Sequence, residues 1–137
     1  MKNVNLLIAG IIAFIVVSVT MAFSTIQQDG EWKVPEAAKN RKNPYADDKA
    51  LLSVGKSLYM KHCKSCHGKE GLGDGSKASD LDTPSGDFSA DEFQDQTDGS
   101  IFYKTQIGRD DMPSFKKKIP DNEDLWSIVN FIRTLEE

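Results

Sequence analysis

The chain has 137 residues and a mass of 15.2 kDa, enough for one small domain and a leader, which excludes a multidomain enzyme. Its 17 Lys and Arg against 21 Asp and Glu give a formal net charge of −4 at pH 7, and the chain beyond Lys2 is more acidic still, a surface unsuited to nucleic acid.

Leu6 to Phe23 form an apolar run interrupted by Gly10, Ser18 and Thr20, with Lys2 ahead of it and Asp29 and Glu31 behind. That charge asymmetry predicts export with the N-terminus inside. The run is long for a signal-peptide core and short for a bilayer span. Residues 1–23 are therefore expected to be either an uncleaved transmembrane anchor or a signal peptide removed near Ala22, with a buried core helix as the third reading. Outside the cytoplasmic membrane, two free thiols do not persist, so Cys63 and Cys66 need a partner.

Residues 24–46 carry Pro35 and Pro44 with mixed charge and little periodicity, and read as an extended linker. Trp32 and Val34 are the exceptions, either packing against the domain or standing exposed. Residues 47–137 are the expected domain.

A helix is predicted from an N-cap at Asp47 or Asp48, since Leu51, Val54, Gly55, Leu58 and Tyr59 fall on one face. It runs into Cys63. A second helix is predicted over Asp98–Ile107 with Gly108 as its stop. A third follows Pro120, capped by Asp121, with Leu125, Ile128, Val129, Ile132 and Leu135 as its apolar stripe and Trp126 and Phe131 beside it. Glu123 and Asp124 suit the positive end of its dipole. Residues 69–119 are otherwise rich in Gly, Asp and Ser, and no strand alternation is convincing. Three or four helices and a long irregular middle make a thin core, one that a filler from outside the sequence would help to fold.

Cys63-Lys64-Ser65-Cys66-His67 has the CxxCH pattern that attaches c-type haem. Each thiol adds to a haem vinyl group as a thioether, and the adjacent imidazole ligates the iron. Zinc would need Cys63, Cys66, His62 and His67 on one turn, too crowded for a tetrahedron. A thioredoxin-like dithiol would need a βαβ context that is missing; a simple disulfide is the remaining alternative. The second axial ligand must come from a distant segment. Met1 and Met21 lie in the leader and Met60 shares the attachment helix, which leaves Met112, stiffened by Pro113, as the candidate. The other reading has Met112 as ordinary packing beside an open or His-ligated iron. His62 is expected on the surface.

From about Asp47 onward the chain resembles a class I monohaem cytochrome c of bacteria: a helix ending in CKSCH, a Gly-rich loop, a Met-Pro loop and a C-terminal helix. The resemblance implies a mainly α fold, three to four helices around one covalently bound haem c, preceded here by the hydrophobic N-terminal helix. It implies that the two terminal helices cross, Gly55 and Tyr59 meeting Ile128 and Phe131. It also implies a carbonyl acceptor for the proximal imidazole N–H, for which Pro84 is the candidate beside a plain turn role. Trp32-Lys33-Val34-Pro35 ahead of Asn43-Pro44 is similar to the arm of membrane-tethered members.

The expected function is single-electron transfer in an exported respiratory chain, on the periplasmic side of the cytoplasmic membrane or soluble in the periplasm after cleavage. Cys63, Cys66, His67 and Met112 bind the cofactor, His67 and Met112 hold the iron, and no residue is catalytic. Redox partners are a respiratory donor and acceptor, with Lys116, Lys117 and Lys118 either docking an acidic partner or simply solvated. Arg109 is expected at the surface or at a haem propionate. Gly71, Gly73 and Gly75 read as a turn around the haem, because they neither follow a strand nor open a helix. The rival functions are a fixed subunit of a quinol-oxidising or terminal oxidase complex, and a five-coordinate haem sensor or enzyme.

Overall fold

The computed structural model describes residues 32–136, so the leader and the first part of the expected linker lie outside the described residues. The chain divides between Lys33 and Val34, and the unit that begins at Val34 holds the motifs above. Among the described residues the elements are helical: α1 (Glu36–Lys39), α2 (Leu51–His62), α3 (Lys64–His67), a 3-10 turn at Ala78–Asp80, α4 (Asp91–Gln94), α5 (Asp98–Ile107) and α6 (Asn122–Arg133). They contain no strand, and the one isolated bridge joins Arg109 and Met112. No helix among them is long and apolar enough to cross a membrane.

Helix α6 starts where its cap predicts, with Asp121 accepting the Glu123 N–H at 2.9 Å. Helix α5 keeps the bounds read from the sequence, and its cap is Thr97, whose hydroxyl accepts the Ser100 N–H at 3.2 Å. Gly108 stops it with φ 73°, a conformation that few residues other than glycine tolerate. Helix α2 starts later than expected. The Asp48 carboxylate accepts the Ala50 N–H at 2.9 Å, closing a turn that leads into the helix instead of capping it.

Helices α2 and α6 pack against each other, as the family resemblance implies. A Cβ on Gly55 would overlap the Ser127 carbonyl, so only glycine permits this approach. Tyr59, fully buried, packs on Phe131 with ring centroids 5.1 Å apart, and Phe102 packs on Trp126 at 4.2 Å. Ile128 and Val129 are 0% exposed, so α6 carries the centre of the core.

Residues 34–46, expected as linker, belong to the domain. Val34 is buried, and Gly99 of α5 lies so close to the backbone carbonyls of Ala38, Lys39 and Arg41 that a side chain there would overlap them. The Arg41 guanidinium lies 4.2 Å from the centroid of the Phe102 ring. Asn43 Nδ2 donates to Asn130 Oδ1 at 2.7 Å and to Asp98 Oδ2 at 3.1 Å, while Asn130 Nδ2 donates to the Tyr45 carbonyl at 2.7 Å. These contacts use side-chain amides and backbone atoms, which leave no apolar periodicity to read.

Candidate functional site

Helix α2 ends at His62, and Cys63, at φ −115°, turns the chain into the separate turn α3. The His67 N–H reaches the Cys63 carbonyl at 3.0 Å and the Gly68 N–H reaches that of Lys64 at 2.9 Å. Cys63, Cys66 and His67 thus share one short turn offset from α2. The Gly-rich loop then folds back over it, giving the Gly73 N–H to the His67 carbonyl (2.9 Å), that of Gly75 to Cys66 (3.2 Å) and that of Lys77 to Ser65 (2.7 Å). Every backbone carbonyl from Cys63 to His67 therefore accepts a hydrogen bond, and the turn is rigid without depending on what its side chains hold.

The side chains are available for chemistry. Cys63 and Cys66 are not joined in a disulfide, and burial, followed by the neighbouring Cys66, pushes the Cys63 thiol up to about 12. A neutral buried thiol is not a reactive nucleophile or a ready metal ligand. Burial pushes the His67 imidazole below its ordinary value, with a weaker backbone contact from Ser85 acting the other way. Its ring stacks on Phe88, centroids 4.5 Å apart and planes 27° apart, and Phe88 stacks in turn on Phe93 at 4.4 Å. His67 Nδ1 and Ser85 Oγ are buried and without a hydrogen-bond partner among the described residues. Pro84, the expected carbonyl acceptor, is exposed, and the residue that approaches His67 is Ser85.

Met112 lies in the turn that follows α5. Arg109 and Met112 exchange both backbone hydrogen bonds at 2.9 Å, and Asp110 at the tip has φ 51°. The Met112 side chain packs, partly buried, against the core. Ser114 Oγ donates to the Gln106 carbonyl at 2.8 Å and the Lys116 N–H reaches the same carbonyl at 3.2 Å, fixing the chain beyond Met112 to the end of α5. Arg109 is half-buried and its Nε pairs with Asp110 at 3.0 Å. Lys116, Lys117 and Lys118 are exposed. His62, expected on the surface, is half-buried, its ring edge-on to Phe115 with centroids 6.1 Å apart, where the end of α2 meets the segment after the Met112 turn. Sequence reasoning passed over Phe88 and Ser85, for which the only available signal is their place in the loop after CxxCH.

Residues 50–132, more than half of the chain, match the sequence family described as cytochrome c oxidase, cbb3-type, subunit III. The chain belongs to this cytochrome c family. Two solved structures share the fold. One is a chain of the Kuenenia stuttgartiensis reducing HAO-like protein complex Kustc0457/Kustc0458, at TM-score 0.62 and 23% identity over 78% of this chain and 53% of that one. The other is the KustC0563 c-type cytochrome, at TM-score 0.52 and 26% identity over 61% of this chain and 98% of its own. This chain thus spans about half the length of the first. No curated protein matches it.

The protein is a class I monohaem cytochrome c, mainly helical, and its cofactor is covalently bound haem c. Its general function is haem-based electron transfer. The residues fit that group. Cys63 would offer the neutral thiol that thioether formation consumes, and Cys66 would offer the second. Burial keeps His67 in the neutral form that ligates iron, on a turn already fixed by backbone bonds.

Proposed function

We propose that this domain carries single electrons, with its haem held through Cys63 and Cys66 and the iron between His67 and Met112. The observation that carries the assignment is the turn Cys63–His67, where a fully bonded backbone brings two cysteines and a stacked imidazole together on one short segment. The haem would supply a ferric–ferrous couple, and a thioether ligand from Met112 would favour the ferrous state and raise the potential. The chain's own part is to hold both ligands still, so that little geometry changes as the electron moves. No residue has a catalytic role in this reading, which makes the protein a carrier and not an enzyme.

The domain would work outside the cytoplasmic membrane, in the periplasm, tethered by residues 6–23 or released after their removal. Residues 34–46 then belong to the electron-carrying domain. Its partners would be redox proteins of a respiratory chain, approached by the exposed run Lys116–Lys118 beside the Met112 turn. A second reading, a fixed subunit of a terminal oxidase complex, is favoured by the family to which residues 50–132 belong.

Met112→Ala tests the ligand assignment: the account expects an open sixth position, carbon monoxide binding to the ferrous haem and a lower potential. An unchanged spectrum would refute it. Gentle detergent purification of the native protein separates the two settings, since a shuttle leaves the membrane alone and a subunit leaves with its complex.

A further inference from the structure

The Met112 turn is tied to a remote loop through one side chain. Asp111 Oδ2 accepts the backbone N–H of Asp82 at 2.9 Å and that of Thr83 at 3.2 Å, across 29 and 28 residues of sequence. The Arg109–Met112 pair is local to the turn, and the bonds from Ser114 to Gln106 and from Phe115 to Thr105 run to the end of α5. The loop that Asp111 grips leads within a few residues to Ser85, whose backbone approaches the His67 imidazole, and to Phe88, on which that ring stacks. One carboxylate therefore joins the segment carrying Met112 to the segment lying against His67.

We propose that Asp111 is a positioning residue that clips the Met112 turn to the 82–83 loop and thereby sets how firmly Met112 holds the iron. The second half of the statement rests on the ligand assignment proposed above; the first half does not. A carboxylate accepting two adjacent amide hydrogens makes charge-assisted bonds, stronger than neutral ones and directed from two sides. Without the clip, the turn keeps its own hairpin bonds and its attachment to α5, but the Met112 side chain gains freedom to swing away from the metal.

The test uses full-length holoprotein made in a host that attaches c-type haem, as wild type, Asp111→Ala and Asp111→Asn. Asparagine keeps an oxygen that can accept both hydrogens, so it separates the clip from the charge. Exogenous imidazole is titrated against the ferric protein, which reads how easily the native sixth ligand is displaced. Amide exchange at Asp82 and Thr83 is followed in parallel. The clip predicts that Asp111→Ala binds imidazole about tenfold more tightly and exchanges these two amides about tenfold faster, with Asp111→Asn, which keeps the acceptor but loses the charge, lying between Asp111→Ala and wild type. Unchanged exchange in Asp111→Ala would overturn the proposal, and so would equal effects of Ala and Asn. Faster exchange with unchanged imidazole affinity keeps the clip and removes its influence on ligation. If wild type shows no sulfur-to-iron band at all, the Met112 assignment fails, while exchange still decides whether Asp111 joins the loops.

Discussion

The fully buried Tyr59 hydroxyl donates to the Gly68 carbonyl at 2.9 Å. This bond fastens the residue directly after His67 to the last turn of α2, inside a ring cluster of Tyr59, Phe88 and Phe131. Burial, followed by the nearby Cys63, raises the phenol above its ordinary value, so it remains a donor at any working pH. Tyr59→Phe keeps the ring packing and leaves the Gly68 carbonyl unsatisfied. The expected cost is about 1–3 kcal/mol of stability in denaturant unfolding, with the haem still attached.

Gly55 faces the Ser127 backbone with no room for a side chain. Because the obstacle is backbone and not the end of a flexible side chain, Gly55→Ala must push α2 away from α6. The expected loss is at least about 1–3 kcal/mol, read as a lower thermal midpoint, even though alanine favours an isolated helix by roughly 1 kcal/mol.

Asn43 and Asn130 hold the arm to α5 and α6 through a chain of bonds from Tyr45 to Asp98. Asn43→Ala strands Asn130 Oδ1 in a buried setting and is expected to cost about 1–3 kcal/mol. A chain starting at residue 47 loses Val34, the Arg41 contacts and this network together, and is expected to unfold in markedly less denaturant than one starting at residue 34.

His62 titrates below its ordinary value of 6.5, chiefly through burial against its neighbours and then through Lys61 and Lys118. The folded protein resists taking up a proton that the unfolded chain accepts, so stability is full above about pH 7 and falls as pH drops through 6.5 toward the folded value. His62→Gln is expected to flatten that part of the stability–pH curve, measured by urea unfolding between pH 5 and 8.

The end of α5 was legible from its Gly108 stop and the start of α6 from its Asp121 cap and apolar stripe, and the α2–α6 crossing followed from Gly55 and Tyr59 as the family resemblance implies. The CxxCH spacing is dictated by the haem itself and was likewise plain. What stayed hidden is held by polar contacts without period. Residues 34–46 attach through amides and carbonyls, Asp48 closes a turn where a cap was expected, and Asp111 reaches a loop 28 residues away. Pro84, a candidate for contact with His67 beside a plain turn role, is exposed, and the backbone that approaches the ring belongs to its neighbour Ser85, a difference that spacing after the motif does not resolve.

The most direct test of the account is the optical spectrum, oxidised and reduced, of full-length protein made in a host that attaches c-type haem, repeated after acid-acetone extraction. The account predicts pigment that stays with the polypeptide, sharp low-spin ferrous bands and a weak far-red ferric band from a sulfur–iron bond. Extractable pigment would contradict the roles of Cys63 and Cys66, and a retained but high-spin, carbon-monoxide-reactive haem would contradict His67–Met112 ligation and with it the electron-carrier reading.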